Sequence, residues 1–452
     1  MTEDDQGAAG TAAAQGPVEI DEATAAALRR RRSELLEKFE LHGELPQSVY
    51  DEATRWTEDV AGEIAAQVDG RVDHRDRPTW TTDPVDAQDF DDALSIAADD
   101  ETYTLHVHIA DVTHYVTPDT ETWAAAMERG NSIYLPGHTI HMLPRPLAET
   151  VCSLVPDEDR LAHTVELVID RESLRTESID IGKTVIRSDE RLTYSEAEAR
   201  LDDPDAPLGE ELRLVFELAD RLHEQRKADG SLVLNPRRDR AHTIVEECML
   251  KANEAVTHEL MWGRGVEAMY RVHPQPTPDE WDGALREIQE LEGVSIPGDS
   301  WDDPRKAVNA TLDAAPDRML SRIQRAVMRV MPRASYMADP FGGHHALNFE
   351  IYGHFTSPIR RMSDLVNHWI VHENEVPENL DELCKRASDR QKAADACERE
   401  YRQAMLELHL DPDAVNSRGL VVVEDEAEDG EAADAGSPTE QDAPPSITDP
   451  ED

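Results

Sequence analysis

The spacing of apolar residues divides the chain into a helical beginning, a strand-rich middle and a helical second half. Apolar positions recur every three or four residues over residues 19–68, which is the period of an amphipathic helix. Residues 103–110 and 163–169 alternate apolar and polar positions, as half-buried strands do. Helical spacing returns later, in residues 208–228, 243–262, 279–291, 303–331, 357–374 and 378–408. The pattern predicts a sheet-forming core between helical segments.

Both ends of the chain lack this spacing. Residues 1–18 are largely Gly, Ala, Gln and acidic residues, and the sequence from about Val423 onwards is rich in Asp, Glu, Ala, Pro and Ser. Such compositions bury too little apolar surface to fold alone. We expect a disordered N-terminus over residues 1–18 and an acidic disordered tail over residues 411–452.

Charge is the most unusual bulk property of the sequence. The 452 residues include 96 Asp and Glu against 45 Lys and Arg, so the net charge at pH 7 is −51. In molar salt the Debye length shrinks to roughly 3 Å, which screens the self-repulsion of such a surface. The composition indicates a salt-rich cytoplasm, and taken alone it argues against a nucleic-acid partner.

The remaining bulk features favour a protein that stays inside the cell. The acidic start, Met1-Thr-Glu-Asp-Asp, has neither the basic nor the apolar region of a signal peptide, so a cytoplasmic location is expected. No apolar stretch reaches the roughly 18 residues that a membrane span requires. Cys152, Cys248, Cys384 and Cys397 are far apart, a spacing that favours reduced thiols over a zinc or disulfide framework.

An acidic stretch over residues 83–92 is the sharpest local motif. Five aspartates, at positions 83, 86, 89, 91 and 92, fall within ten residues directly before an apolar, strand-like run. Carboxylates that converge in a loop repel each other unless a cation or protons neutralise them, so Mg²⁺ or Mn²⁺ is a natural ligand. The alternative is chance clustering in a very acidic chain. An EF-hand calcium loop is disfavoured because its Gly and terminal Glu are missing.

A second motif lies at residues 352–364. Here Thr356 or Ser357 is predicted to cap a helix whose first turn contains Pro358, and Arg360 and Arg361 follow within one turn. A helix N-terminus with two guanidinium groups can bind phosphate. Alternatively, the arginines only neutralise nearby acidic residues.

Together the two motifs resemble the RNB catalytic domain shared by ribonuclease II, ribonuclease R and the exosome nuclease. Further RNB-like blocks follow in family order, at residues 108–116, 134–137, 142–147, 152–154, 159–166, 246–253, 270–273 and 354–361. The resemblance covers about residues 75–410 and leaves residues 19–74 as a helical N-terminal segment. It implies an α+β fold with a mixed, mainly antiparallel β-sheet surrounded by α-helices. The chain resembles a halophilic archaeal member reduced to the catalytic domain.

The resemblance also implies an activity. Members of this family are 3′→5′ exoribonucleases that hydrolyse single-stranded RNA to nucleoside 5′-monophosphates. By similarity, Asp83, Asp89, Asp91 and Asp92 hold two Mg²⁺ ions, for which Mn²⁺ can substitute, and these ions activate a water and stabilise the leaving 3′-oxygen. Asp91, Asp92 and Arg360 are the implied catalytic residues, and Arg360 would neutralise charge that develops in the transition state.

Other matched positions imply contacts to RNA. Tyr134 and Tyr194 resemble the aromatic residues that stack on bases, although an average tyrosine is more often a core residue. Glu246 and Glu398 lie where the family contacts the terminal sugars, and contacts to the 2′-hydroxyl favour RNA over DNA. Arg361 is expected to support Arg360 or to contact a neighbouring phosphate.

The chain departs from the family in several respects, of which two bear most on RNA binding. Residues 231–234 are Ser-Leu-Val-Leu where the family has a second aromatic clamp. No cold-shock or S1 domain is recognisable, so we expect less processive degradation or dependence on a partner protein for RNA capture. We also expect a monomer. Two arginine clusters, residues 29–32 and 237–240, are either part of an RNA path or ion-paired surface. The competing functions are a non-catalytic RNA-binding scaffold and a domain that merely buffers cations.

Overall fold

A computed structural model describes residues 16–203, 205–297 and 303–423. In chain order its strands are β1 (Val18–Ile20), β2 (Val72–Asp73), β3 (Trp80–Asp83), β4 (Asp92–Ala98), β5 (Thr102–Ala110), β6 (Ile133–Leu135), β7 (His138–Ile140), β8 (Asp159–Asp170), β9 (Thr176–Arg187), β10 (Glu190–Thr193), β11 (Tyr270–Val272), β12 (Ser335–Met337) and β13 (Leu420–Val422). Its α-helices are α1 (Glu22–Lys38), α2 (Gln47–Thr57), α3 (Val60–Gln67), α4 (Glu121–Arg129), α5 (Tyr194–Leu201), α6 (Gly209–Asp229), α7 (Arg240–His258), α8 (Pro278–Gln289), α9 (Pro304–Ala314), α10 (Asp317–Val330), α11 (Met362–Glu373), α12 (Leu380–Glu407) and α13 (Pro412–Arg418).

A seven-stranded sheet forms the centre, with the strand order β10-β3-β4-β5-β8-β9-β2. The four inner pairings, from β3 to β9, are antiparallel, whereas β10 and β2 add to the two edges in parallel. The strands predicted at residues 103–110 and 163–169 are the neighbours β5 and β8. The predicted α+β class with a mainly antiparallel sheet is confirmed.

Helices cover the sheet and create the main core. Helix α6 packs against β4, and α7 packs against β5 and β8. The side chains of Trp80, Tyr103, Leu105 and Ile109 are fully buried in this layer. Burying one such apolar side chain stabilises the fold by about 1.5–3 kcal/mol, so the alternating pattern of β5 fixes which of its faces meets the helices.

A separate apolar cluster forms around helices α8, α9 and α10. The sequence predicts one long helix over residues 303–331, but the structure has two, α9 and α10. The break falls at Ala315 and Pro316, both in extended backbone. A proline disfavours helical geometry in the residue before it, which explains the split.

The predicted disorder at the two ends is wrong for part of each prediction. Helix α13 and strand β13 lie within the predicted tail, and β13 pairs in parallel with β1, which begins inside the predicted disordered N-terminus. Val415 of α13 is fully buried in a cluster shared with α1 and α12. A few apolar residues in the acidic sequence are therefore enough to dock it. The rest of both predicted segments, residues 1–15 and 424–452, lies outside the described residues.

Two bulk expectations can be compared with the structure. None of the helices in the described part of the chain is long and apolar enough to cross a membrane. The four cysteines are all buried and unpaired.

A buried ion pair ties the segment before β2 to the sheet. The Arg71 guanidinium donates to Asp111 Oδ2 (2.6 Å), and both side chains are almost fully buried. His163 Nε2 lies 3.2 Å from the other carboxylate oxygen, which also accepts the N–H of His114. Burial alone would raise the pKa of Asp111, but His163 and Arg71 outweigh burial and hold that pKa well below its usual range.

Replacing this carboxylate should weaken the fold. Asp111→Asn leaves the Arg71 charge buried without a counter-ion, which should lower the free energy of unfolding at pH 7 by about 3–5 kcal/mol. A depressed pKa contributes stability above the unfolded-state pKa, and this contribution disappears as the pH falls. The difference between wild type and variant should therefore shrink below about pH 4. Denaturant titrations in molar KCl at several pH values measure both effects.

Asp119→Asn is the matched control, because Asp119 is exposed and bonds only locally to Thr117. Its unfolding midpoint should stay close to that of the wild type at every pH. A wild-type midpoint for Asp111→Asn at pH 7 would contradict the stabilising role of the ion pair.

Candidate active site

A cleft of about 500 Å³ opens where the sheet meets helices α5 and α7 and the irregular block of residues 352–361. Nearly all the residues predicted for the site line it. They are Asp83, Asp89, Asp91, Asp92, Tyr134, Tyr194, Glu246, Arg360 and Arg361. The predicted residue that does not line the cleft is Glu398.

Strand register places the first of these residues. Strands β3 and β4 are antiparallel, with Trp80 opposite Leu94, so the end of β3 at Asp83 lies beside the start of β4 at Asp92. The parallel pairing of β10 with β3 puts Thr193 opposite Asp83. Thr193 caps α5, which begins at Tyr194. The sheet thus brings the carboxylates of Asp83 and Asp92 close to the ring of Tyr194.

Asp91 is the most enclosed carboxylate of the cleft, with 3% of its surface exposed. Its Oδ1 accepts the backbone N–H of Ile359 (2.7 Å), and its Oδ2 lies 3.5 Å from Nε of Arg360. The two partners come from the block 268 residues further along the chain. Asp91 therefore connects the acidic stretch to the arginine block directly.

The arginine block differs from its predicted geometry. The helix begins at Met362, and residues 358–360 form a turn before it, so the predicted helix start at Thr356 or Ser357 is wrong. The Ser357 N–H donates to the Asp364 carboxylate, and Asp91 takes the N–H of Ile359. The two carboxylates thus accept hydrogen bonds from backbone N–H groups of residues 357 and 359, which would be free donors at the start of a helix.

The two arginines have different surroundings. Arg360 is about two-fifths exposed, and its guanidinium donates to the Ser357 hydroxyl (2.9 Å). Arg361 makes a two-point ion pair with Asp364, at 2.8 and 2.6 Å. Burial alone would lower the pKa of Arg361, but Asp364 outweighs burial and raises it. Arg360 is therefore the less closely paired of the two arginines, and its exposed guanidinium can attract an anion in the cleft.

Buried amides hold the block in place, a role that the sequence did not reveal. Asn253 of α7 accepts the N–H of Phe355 (2.7 Å) and donates to Tyr352 Oη and Thr356 Oγ1. Asn367 of α11 donates to the carbonyl of His354. Asparagines on helices carry no spacing signal of their own, and the partners of Asn253 lie about 100 residues away in the sequence.

Burial makes three carboxylates of the cleft hard to ionise. Desolvation, with the nearby Asp92 charge, raises the pKa of Asp83 to about 8. Desolvation also raises the pKa of Asp92 to about 6, against the opposing effect of Arg360 and Arg361. The pKa of Asp91 is raised well above its usual range for the same reason, and Arg360 opposes the shift. Grouped carboxylates of this kind favour a bound cation.

Two unsatisfied oxygens agree with the predicted metal. Asp83 Oδ2 and Asp91 Oδ2 are buried and accept no hydrogen bond. Hard divalent cations bind carboxylate oxygens of this kind, so the residues present fit Mg²⁺. The aspartates are spread around the wall of the cleft. Within the described ranges, three potential ligand atoms come within 4.8 Å of one another in one group only. That group is His74, His106 and Glu166, which lies outside this cleft.

Tyr134 lines the cleft and is held at two points. Its hydroxyl donates to Asp89 Oδ2 (3.1 Å), and its backbone N–H donates to the carboxylate of Glu398 (2.8 Å). The Tyr134 side chain is nevertheless 41% exposed. His141, which the sequence gave no reason to select, lies 3.7 Å from Asp89. Glu398 therefore lies behind Tyr134, where it orients the strand that carries the ring.

Tyr194 is stacked on a histidine that the sequence did not suggest. The rings of Tyr194 and His242 are parallel within 5°, with centroids 3.8 Å apart. Next to them, Glu246 is paired with Arg226 and Arg238. One face of the Tyr194 ring is thus covered by protein, and the ring lines the cleft.

The two arginine clusters are largely ion-paired. Arg29 pairs with Glu22 and Arg31 with Glu34 in the first cluster. In the second, three arginines pair with acidic residues of other elements: Arg237 with Asp317, Arg238 with Glu246, and Arg240 with Glu198 and Asp202. Of these, Arg238 is the one whose partner lines the cleft.

Comparisons with known proteins agree with this architecture. The chain matches the RNB domain family over residues 71–375. Ribonuclease R of Aquifex aeolicus is 36% identical over 362 residues, which are 74% of this chain and 50% of that protein. The chain spans about half the length of the curated relatives it matches. The RNB family match, which ends at residue 375, does not reach Glu398.

Solved structures share the fold. The RNase R of Mycoplasma genitalium in complex with ribose-methylated single-stranded RNA has a TM-score of 0.76 at 23% identity, covering 85% of this chain and 65% of that chain. Yeast Ssd1, described as a pseudonuclease, has a TM-score of 0.64 at 22% identity, covering 78% of this chain and 45% of that chain. Since the family match takes in more than half of the sequence and the whole acidic stretch and arginine block, the chain belongs to the RNB domain family.

Proposed function

We propose that this chain is a 3′→5′ exoribonuclease that hydrolyses single-stranded RNA to nucleoside 5′-monophosphates. The observation that supports this most is the joining of Asp91 to Ile359 and Arg360 in one cleft. This contact sets a group of buried carboxylates beside a guanidinium that faces open space. Such a pairing suits phosphodiester hydrolysis, in which charge develops on the phosphoryl oxygens.

RNB exoribonucleases are metal-dependent. We infer that Asp83, Asp89, Asp91 and Asp92 hold Mg²⁺, with Mn²⁺ as a substitute. Two such ions, when bound, would lower the pKa of an attacking water and stabilise the leaving 3′-oxygen. Asp91 also positions the arginine block. Its Oδ1 accepts the N–H of Ile359, and its Oδ2 faces Arg360.

Arg360 is the residue that would contact the scissile phosphate. Ser357 and Asp91 restrain its guanidinium before any substrate arrives, so little reorganisation is needed during the reaction. Arg361 would act mainly through Asp364, which also accepts the N–H of Ser357. It would therefore orient the turn that carries Arg360.

Base stacking would supply sequence-independent affinity. A base stacked on Tyr194, which is backed by His242, or on Tyr134 would contribute about 1–3 kcal/mol. Glu246 lines the same cleft and can accept a sugar hydroxyl. For Glu398 we propose positioning of Tyr134 in place of the sugar contact expected from the sequence, because its carboxylate is used by the Tyr134 N–H.

The alternative function is a non-catalytic RNA-binding scaffold. The fold alone does not separate the two, since yeast Ssd1 shares it. The four aspartates and Arg360 favour the enzyme. The cytoplasmic location, the monomeric state and the RNA-capturing partner protein stay predictions.

The first test removes one carboxylate. Asp91→Asn should lower turnover of 5′-labelled single-stranded RNA by at least about 10³-fold. Metal-ion catalysis supplies several kcal/mol, and about 4 kcal/mol corresponds to this factor. The asparagine can still accept the N–H of Ile359, so the fold and RNA binding should survive, as circular dichroism and a filter-binding assay would verify.

Asp86→Asn is the control, because Asp86 belongs to the same acidic stretch but is exposed and does not line the cleft. It should retain wild-type turnover. Equal rates for Asp91→Asn and wild type would sink the proposed mechanism.

The second test concerns direction. RNA with a free 3′ end should yield mononucleotides and a short limit product, whereas RNA with a 3′-terminal phosphate or a bulky 3′ block should resist. The product ladder on a denaturing gel measures this. Internal cleavage of blocked RNA would contradict an exonuclease, and tight binding without turnover of either substrate would support the scaffold.

The third test concerns salt. Cleavage should persist in molar KCl, because stacking and metal coordination depend less on counterion release than long-range phosphate attraction does. Initial rates measured from low to molar KCl, with circular dichroism to monitor folding, provide the comparison. A sharp loss of rate in molar KCl while the protein stays folded would count against this expectation.

A further inference from the structure

A second cluster of potential ligands lies on the sheet, away from the aspartate cleft. His106 of β5 and Glu166 of β8 are directly opposite each other in the strand register. His74 follows β2, and its ring centroid lies 5.3 Å from that of His106. Because β2 and β3 are at opposite sides of the sheet order, residues 74–79 must cross between them, and His74 meets His106 at the start of this crossing.

The cluster and the aspartate cleft use opposite faces of the sheet. Asp92 pairs with Ile109, which is three positions from His106 on the same strand. Side chains alternate between faces along a strand, so His106 points away from the face that Asp92 and Ile109 share. The two sites are therefore distinct.

The spacing of the ligand atoms is close to that of a metal site. One ring nitrogen from each histidine and one carboxylate oxygen of Glu166 all lie within 4.8 Å of one another, and His106 Nε2 is 2.9 Å from Glu166 Oε2. Around a tetrahedral Zn²⁺ with bonds of about 2.0–2.2 Å, ligand atoms lie roughly 3.3 Å apart. Small side-chain rotations would close the set on an ion.

The hydrogen bonding of these histidines is incomplete. His74 is 7% exposed and His106 is fully buried, yet Nδ1 of each has no hydrogen-bond partner. The neighbouring His108 shows the contrast, because its two nitrogens bond Ser95 Oγ (2.9 Å) and Thr164 Oγ1 (2.7 Å). Buried polar groups are normally satisfied. His108 therefore has a structural role, whereas Nδ1 of His74 has no hydrogen-bond partner and could bind a metal ion.

The surroundings keep both imidazoles in the form that binds metals. Burial, aided by the charge of Arg77, lowers the pKa of His74 and of His106 to about 4, so both are neutral at pH 7. Arg77 opposes a cation here, whereas Glu166 and Asp73 favour one. The Glu166 side chain is 36% exposed, which leaves access to solvent and room for a water ligand.

We propose that His74, His106 and Glu166 bind one Zn²⁺ ion, with solvent in the fourth position. Two imidazoles and one carboxylate suit zinc, whereas Mg²⁺ prefers oxygen ligands alone. The ion would fasten residues 74–79 to the sheet. Because this segment leads into β3, which ends at Asp83, zinc would also brace one wall of the aspartate cleft. The contacts that support this site do not depend on the proposed nuclease activity.

Zinc binding by the full chain tests this proposal. Chelator-treated protein in excess Mg²⁺, which occupies oxygen-rich sites, should bind one equivalent of Zn²⁺ by calorimetry. Co²⁺ used as a probe should develop the visible absorption of a four-coordinate N/O site. Saturating Zn²⁺ should raise the Tm by about 5 °C, since it binds only the folded state.

Two ligand variants keep the test decisive if one of them folds poorly. His74→Ala and the near-isosteric Glu166→Gln should each weaken Zn²⁺ binding by at least about 100-fold and abolish the Tm shift. Two control variants should keep one Zn²⁺ per chain. His42→Ala removes an exposed histidine, and Asp91→Asn alters the aspartate cleft. Wild-type protein without stoichiometric Zn²⁺ binding, or ligand variants with wild-type affinity, would overturn the proposal.

Discussion

The burial of the Asp91 carboxylate is the constraint on which the arrangement of the cleft depends. A carboxylate removed from water needs donors and opposite charge nearby, and here they come from Ile359, which is 268 residues further along the chain, and from the adjacent Arg360. The backbone of Asp91 is also held, because its carbonyl accepts the N–H of Ala110 in β5. These contacts hold the sheet and the arginine block against each other, and the cleft forms where they meet.

The support around this contact consists of neutral polar groups. Asn253 and Asn367 hold the backbone of the block from two different helices, and the ring of His368 stacks on Phe355 and bonds its carbonyl. Neutral amides of this kind fix an irregular loop without adding charge to a site that already concentrates it. The Arg361 charge is neutralised by Asp364 of the adjoining helix α11, so Arg360 remains as the less fully paired cation that faces the cleft.

The net charge of −51 and the chemistry of the cleft act at different distances. In salt, surface charges interact over only a few ångströms, so the acidic exterior governs solubility while local groups govern the site. Most of the arginine clusters are used in ion pairs, which leaves little long-range attraction for a polyanion. On the proposed function, contacts at close range through Tyr134, Tyr194, the carboxylates and Arg360 would then have to hold the RNA. The opposite face of the sheet, with its neutral His74 and His106, suits a softer metal.

The sequence by itself determined the strands of β5 and β8, the acidic stretch before β4 and the identity of the family, because side-chain alternation and short motifs are local properties of the chain. Tertiary structure decided what these residues do to each other. It moved the helix start to Met362 and split residues 303–331 at Pro316. It also turned Glu398 toward the Tyr134 backbone, stacked Tyr194 on His242 and brought His74 to Glu166. Most of these outcomes depend on partners tens to hundreds of residues away, which packing selects and local spacing does not encode.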